Sequence, residues 1–193
     1  MMIAWIETIE PDDAEGLLRD LYERVKTPHG SVDNVMKAHS LRPHTLEGHL
    51  VLYKSVLHNP SNVLPLWFLE VVASYVSIAN GCEYSLAHHF MNARKLLDDD
   101  AKADAIYAAL EARRPERVFD DKELALLRYA AKLTEDVANM NEQDILGLRD
   151  AGADDGEILE VNQVCAYFNY SNRLLNGLGV TTEGDTIGYY GKK

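Results

Sequence analysis

Glu70 is followed by Cys82, Ser85 and the pair His88–His89 within the run EVVASYVSIANGCEYSLAHH, where an apolar helical stretch meets a more polar one. A cysteine at position 85 would make a Cys-x-x-Cys pair with a histidine one helical turn further on and a carboxylate on the preceding helix. Those are the parts of a dithiol redox site with a proton relay. Ser85 stands where the second thiol would be.

Asn80 and Gly81 both tolerate the left-handed conformation that ends helices, so Cys82 is expected to open the next one. Unpaired N–H groups and the positive end of the helix dipole favour a thiolate there. Cys82, Ser85 and His89 share one face at helical spacing. His89 can take or return a proton at position 85, and Glu70 can hold its imidazole in one tautomer. His88 points about a third of a turn away and ranks below His89. Taken singly, a lone cysteine is ordinarily a small buried residue and a lone buried glutamate is ordinarily ion-paired. The joint spacing carries the argument.

The elements that must hold these residues read as helix after helix. Pro11 is expected to open a first helix with Leu17, Leu18, Leu21, Tyr22 and Val25 along one side, and Ser31 to cap a short second one. Pro43 and Pro65 sit at first positions of two more. The stretch 65–79 is apolar nearly all round, with Trp67, Phe68, Val71, Val72, Tyr75, Val76 and Ile78, and so is expected at the centre of the fold. Glu70 is the exception inside it, and a carboxylate in such a helix must be paired or protonated. Further helices are expected over 82–97, 101–113, 120–136, 142–151 and 155–176, with no period-two strand. The expected fold is all-α, one domain across residues 1–193.

Composition narrows the partners. The 193 residues are 47% hydrophobic, enough for an ordinary core, and the net charge of -12 argues against nucleic acid and anionic membranes. No segment has the length and apolarity of a membrane span, and the N-terminus lacks a basic start, so a soluble cytoplasmic protein is expected. Two cysteines, Cys82 and Cys165, far apart in apolar surroundings, make no disulfide framework.

The spacing resembles the peroxidase-related branch of the alkylhydroperoxidase D and carboxymuconolactone decarboxylase superfamily. The residues that carry it are Glu70, Asn80-Gly81-Cys82-Glu83-Tyr84 and His89, together with Phe168, Asn169, Asn172, Arg173 and Leu178-Gly179 in the segment VNQVCAYFNYSNRLLNGLG. The resemblance implies an all-helical homo-oligomer, without cofactor, that reduces organic hydroperoxides through a dithiol recycled by an external thiol or dithiol reductant. Carried over, Glu70 and His89 are the relay, Cys82 is the resolving thiol, and Ser85 occupies the attacking position. A serine hydroxyl cannot become a sulfenic acid, so no intramolecular disulfide forms at such a site. Three readings stay open: Cys82 as a one-cysteine thiol resolved by a small thiol or a partner, acid–base chemistry through His89 and Glu70 as in the decarboxylase relatives, or an oligomeric binding protein whose pocket outlived its catalysis.

Other features read as structural. Leu69-Glu70-Val71 and Leu159-Glu160-Val161 echo one another, which allows a duplicated helical unit, but three residues do not establish one, and Glu160 is assigned to structure. His39, His44 and His49 are five apart, which on a helix fans them round the axis, and one thiolate beside His88, His89 and Glu70 is poor in zinc ligands. Asp98–Asp100 and Asp154–Glu157 mark helix boundaries. Tyr167, Phe168 and Tyr170 are packing residues, with Asn169, Asn172 and Arg173 fixing helix ends or a subunit contact. The tail TTEGDTIGYYGKK is expected to be a loose end or an arm that docks on a neighbour.

Overall fold

The computed structural model describes residues 2–190, and these form nine α-helices with three short 3-10 turns and no strand among the described residues. The helices are α1 (Gly16–Val25), α2 (Asn34–Lys37), α3 (Pro43–Leu57), α4 (Leu66–Ala79), α5 (Glu83–Leu97), α6 (Asp100–Glu111), α7 (Asp121–Glu135), α8 (Glu142–Asp150) and α9 (Asp155–Leu178).

α4 is the hub. Its Phe68, Leu69, Val71, Val72, Ala73 and Val76 are buried, and it packs against α5, α9 and α7, with α6 and α3 completing the shell. This is what an all-round apolar helix requires, because each face must be taken out of water. α9, the longest helix, opens with a reciprocal cap: the Asp154 carboxylate accepts from Glu157 N–H at 2.8 Å and the Glu157 carboxylate accepts from Asp154 N–H at 3.0 Å. The acidic run there is thus a helix start, and Asp99 likewise caps α6 by accepting from Lys102 N–H at 2.9 Å.

The hinge between α4 and α5 follows the sequence. Gly81 takes the left-handed conformation at φ 60°, Gly81 N–H donates to the Ile78 carbonyl at 3.1 Å and Cys82 N–H to the Ser77 carbonyl at 2.9 Å. These two bonds satisfy the last carbonyls of α4 and turn the chain back antiparallel on itself.

Five local expectations are corrected. Pro11 opens only a 3-10 turn over Pro11–Asp13; α1 begins at Gly16, and Leu17 is exposed while Leu18, Leu21 and Tyr22 are buried. The residue before α2 is Asp33, not Ser31, and Pro65 precedes α4 instead of opening it. His39 lies before α3 and outside any helix shared with His49, and their ring centroids come within 4.8 Å. The C-terminal segment as far as residue 190 docks on its own chain: Thr181 N–H donates to the Ile3 carbonyl at 2.9 Å, and the segment then crosses α2 and α5. Residues 191–193 of that tail lie outside the described residues.

Candidate active site

α4 and α5 meet along a polar seam inside the apolar core. Glu70, Ser74 and Ser77 fall at +4 and +3 spacing on α4; Ser85, His89 and Asn92 fall at the same spacing on α5. Running antiparallel, the two stripes bring Glu70 to His89 and Asn92, and Ser77 to Ser85. The Glu70 Oε2 atom lies 2.7 Å from His89 Nδ1, and Oε1 accepts from Asn92 Nδ2 at 3.1 Å. Glu70 has no solvent exposure, so both oxygens need such donors. With the carboxylate accepting at Nδ1, Nε2 is the imidazole's remaining functional nitrogen, and no partner claims it among the described residues.

At the other end of the seam Ser85 Oγ accepts from Ser77 Oγ at 3.0 Å. The single Ser77 hydroxyl proton is shared between Ser85 and the Ala73 carbonyl, which lies 2.8 Å away. Asn172 of α9 closes this end, donating to Ser77 Oγ at 3.3 Å from a fully buried position. Asn172 is therefore an interior residue and not a subunit contact. Asn169 does hold a helix end, accepting from Asn80 at 3.2 Å.

Ser85 and His89 line a cavity of about 330 Å³. Aromatic rings form much of its wall: Tyr53 stands edge-on to His89 at 6.3 Å, and Tyr167 packs 5.7 Å from Tyr53. Phe168 backs His89 edge-on at 4.5 Å. Asp33, His49 and His88 also line it, and each keeps a buried polar atom without a hydrogen-bond partner among the described residues, His88 Nε2 lying 3.5 Å from the Asp185 carboxylate. Burial pushes His49 down to about 3 and His39 down to about 4, so both are neutral; burial raises Asp33 to about 6, with His88 opposing and Asp185 adding to the shift. Arg24, Lys26 and Lys54 stand at the rim.

Glu70, Ser85 and His89 are thus brought together as the sequence suggests, whereas Cys82 is set apart. It is 1% exposed, does not line the cavity, and packs in a side cluster with Ala4, Ala38, Tyr84, Leu175 and Val180. Burial raises the thiol above its ordinary range, the nearby Ser85 N–H opposes the shift, and no backbone N–H of α5 caps the sulfur. Desolvation thus works against the thiolate that a helix start favours. His88 is turned away from Glu70, stacked on Tyr84 at 4.7 Å. Sequence reasoning missed Asn92, though it sits one turn past His89; it also missed Asp33, Tyr53, His49 and Asp185, which reach the site from distant segments with no shared periodicity.

The same all-helical fold is found in solved structures. An uncharacterized peroxidase-related protein from Ralstonia eutropha JMP134, described as an alkylhydroperoxidase AhpD core, superposes with TM-score 0.83 at 21% identity over 96% of this chain and 95% of its own. A peroxidase-related protein from Silicibacter sp. TM1040 gives 0.75 at 26% identity over 93% and 91%, and the debrominase Bmp8 gives 0.74 at 16% identity over 95% and 92%. The chain has the alkylhydroperoxidase D-like fold of the carboxymuconolactone decarboxylase superfamily. No family model and no curated protein matches it.

Proposed function

We propose that this chain is an alkylhydroperoxidase D-like enzyme that moves a proton on a small organic substrate, with His89 Nε2 as the acid–base atom and Glu70 fixing the ring. The observation that carries the reading is the 2.7 Å Glu70–His89 contact on the wall of an aromatic-lined cavity that neither Cys82 nor Cys165 lines. Proton removal next to a carbonyl, or protonation during decarboxylation, needs one positioned base and a site shielded from bulk water. Both requirements match the residues present. The test is turnover and solvent-deuterium incorporation across a panel of unsaturated lactone acids and β-keto acids. His89→Gln is expected to lower the rate by roughly 10²–10⁴-fold, the range for general acid–base catalysis, while Cys82→Ala leaves it near the starting value. Activity lost with Cys82 and kept without His89 would sink the proposal.

A second reading is favoured by the place of Cys82, immediately before α5 and one turn from Ser85. In it, the Cys82 thiolate attacks the hydroperoxide O–O bond and releases an alcohol. The resulting sulfenic acid condenses with an external thiol, losing water, and a second thiol then frees Cys82 as the mixed disulfide is reduced. The likeness to peroxidase-related proteins supports it. Its mark is hydroperoxide-dependent protection of Cys82 from alkylation, reversed by a dithiol.

A further inference from the structure

We propose that Asn92 is a positioning residue of the Glu70–His89 pair and that the C-terminal segment 182–190 acts on the site through it. This rests on the proton-transfer reading above. Asn92 is 2% exposed and has both ends of its amide engaged: Nδ2 donates to Glu70 Oε1 at 3.1 Å, and Oδ1 accepts from Tyr189 N–H at 2.7 Å. A reversed amide would set oxygen against carboxylate and nitrogen against N–H, so the two neighbours fix its orientation. The carboxylate torsion of a glutamate is soft. Asn92 supplies the second point that holds the Glu70 plane with Oε2 on His89.

The segment that anchors Asn92 is itself built in. The Asp185 carboxylate accepts from Asn34 N–H at 3.1 Å and from the Tyr84 hydroxyl at 2.6 Å, and the Asn34 side chain donates to the Thr181 and Glu183 carbonyls at 2.8 and 2.9 Å. Gly188, at φ 86°, lies so close to α5 that a Cβ there would come within 2.7 Å of Met91 Cγ. Only glycine meets both the backbone conformation and that approach. Tyr189 follows directly and lines the cavity. The tail therefore contributes one wall of the site and, through one backbone N–H, the alignment of its buried carboxylate.

The test is NMR of the isotope-labelled full chain, following solvent exchange of the His89 Nδ1–H proton that bonds Glu70. Asn92→Ala is expected to speed that exchange about tenfold, the scale of losing one hydrogen bond to a charged group. Gly188→Val, which presses the segment off Met91 of α5 while leaving Glu70, His89 and Asn92 themselves in place, is expected to act in the same direction. Unchanged exchange in a folded Asn92→Ala chain overturns the positioning role. A Gly188→Val chain in which the Tyr189 amide loses protection while His89 stays unchanged overturns the coupling, and it decides the matter if Asn92→Ala fails to fold by circular dichroism. Neither readout needs a substrate, so failure here is distinct from failure of the proton-transfer reading, which the His89→Gln rate judges.

Discussion

Glu70 brings a carboxylate into a position with no solvent, and its two donors, His89 and Asn92, offset the cost of desolvation. Glu70→Gln is nearly isosteric, yet its amide nitrogen would donate to His89 Nδ1 and move the ring proton to Nε2, leaving that nitrogen unable to act as a base. Turnover is expected to fall by roughly 10²–10⁴-fold with helical content unchanged, checked by rate assay and circular dichroism. Ser85→Cys asks a different question of the same seam. Position 85 lies on the cavity wall one turn from both Cys82 and His89, so a thiol there is expected to form a disulfide with Cys82 on exposure to an organic hydroperoxide, reversible by a dithiol. Intact mass and thiol titration before and after oxidation check it; two thiols that persist would show that the buried Cys82 sulfur cannot turn towards position 85. Asp33 sets a pH dependence. Its carboxyl is raised to about 6 by burial, so the folded chain binds its proton more tightly than the unfolded chain does. That contribution to stability is complete below about pH 4 and is lost as pH rises to about 6. Asp33→Asn should leave stability unchanged at the acid end and raise it above pH 6 by about 1 kcal/mol, after allowance for solvent screening, as read from urea melts at several pH values.

At the scale of elements, the helix hairpin was the most legible part of the sequence. An apolar helix with a single carboxylate, a residue pair suited to a helix end and a polar stripe at +4 and +3 spacing determine both the turn and the face that α5 presents to α4. Helix existence was equally readable for α3 to α9, because periodicity and caps agree there. The starts of α1 and α2 were not, since Pro11 and Ser31 carry signals that serve a turn as well as a helix. That Cys82 is buried away from the cavity was hidden because its neighbours Ala4, Leu175 and Val180 come from both ends of the chain. Docking of the tail was hidden because it depends on side chains of α2 and α5 and not on any pattern of its own. Glu160 shows how an echo can mislead: it occupies in α9 the place Glu70 has in its tripeptide, yet its carboxylate accepts from Val63 and Leu64 N–H at 2.7 and 3.0 Å and ties down the approach to α4. The cap of α9 gives the element-scale prediction. Asp154→Ala removes one side of the reciprocal pair and should cost about 1 kcal/mol, about 2–4 °C in Tm for a chain of this size, with turnover unaffected because the site lies several turns away.

The whole molecule carries a net charge of -12 and still leaves an ordered apolar surface near its N-terminus. Met2 and Trp5 are mostly exposed, Ile6 and Leu41 partly so, and the four border one shallow groove. Trp5 is held and not loose: its backbone N–H donates to the Leu178 carbonyl at 2.7 Å, and its ring covers Gly179 so closely that no Cβ would fit there. A fixed, outward-facing tryptophan among aliphatic neighbours has already lost the freedom that association would otherwise remove, which makes it an efficient contact point. Like-charge repulsion works against pairing, so association is expected through this apolar face and to strengthen with salt. The expected state is a symmetric homo-oligomer, at least a dimer, built on the face that carries Trp5. Light scattering at micromolar concentration should report it, and Trp5→Glu, which places further negative charge at the centre of that face, should shift the chain towards monomer while its helical content is retained. A monomer across that concentration range at physiological salt, or an oligomer indifferent to Trp5→Glu, would mean that the groove is ordinary surface and that the subunits meet elsewhere or not at all.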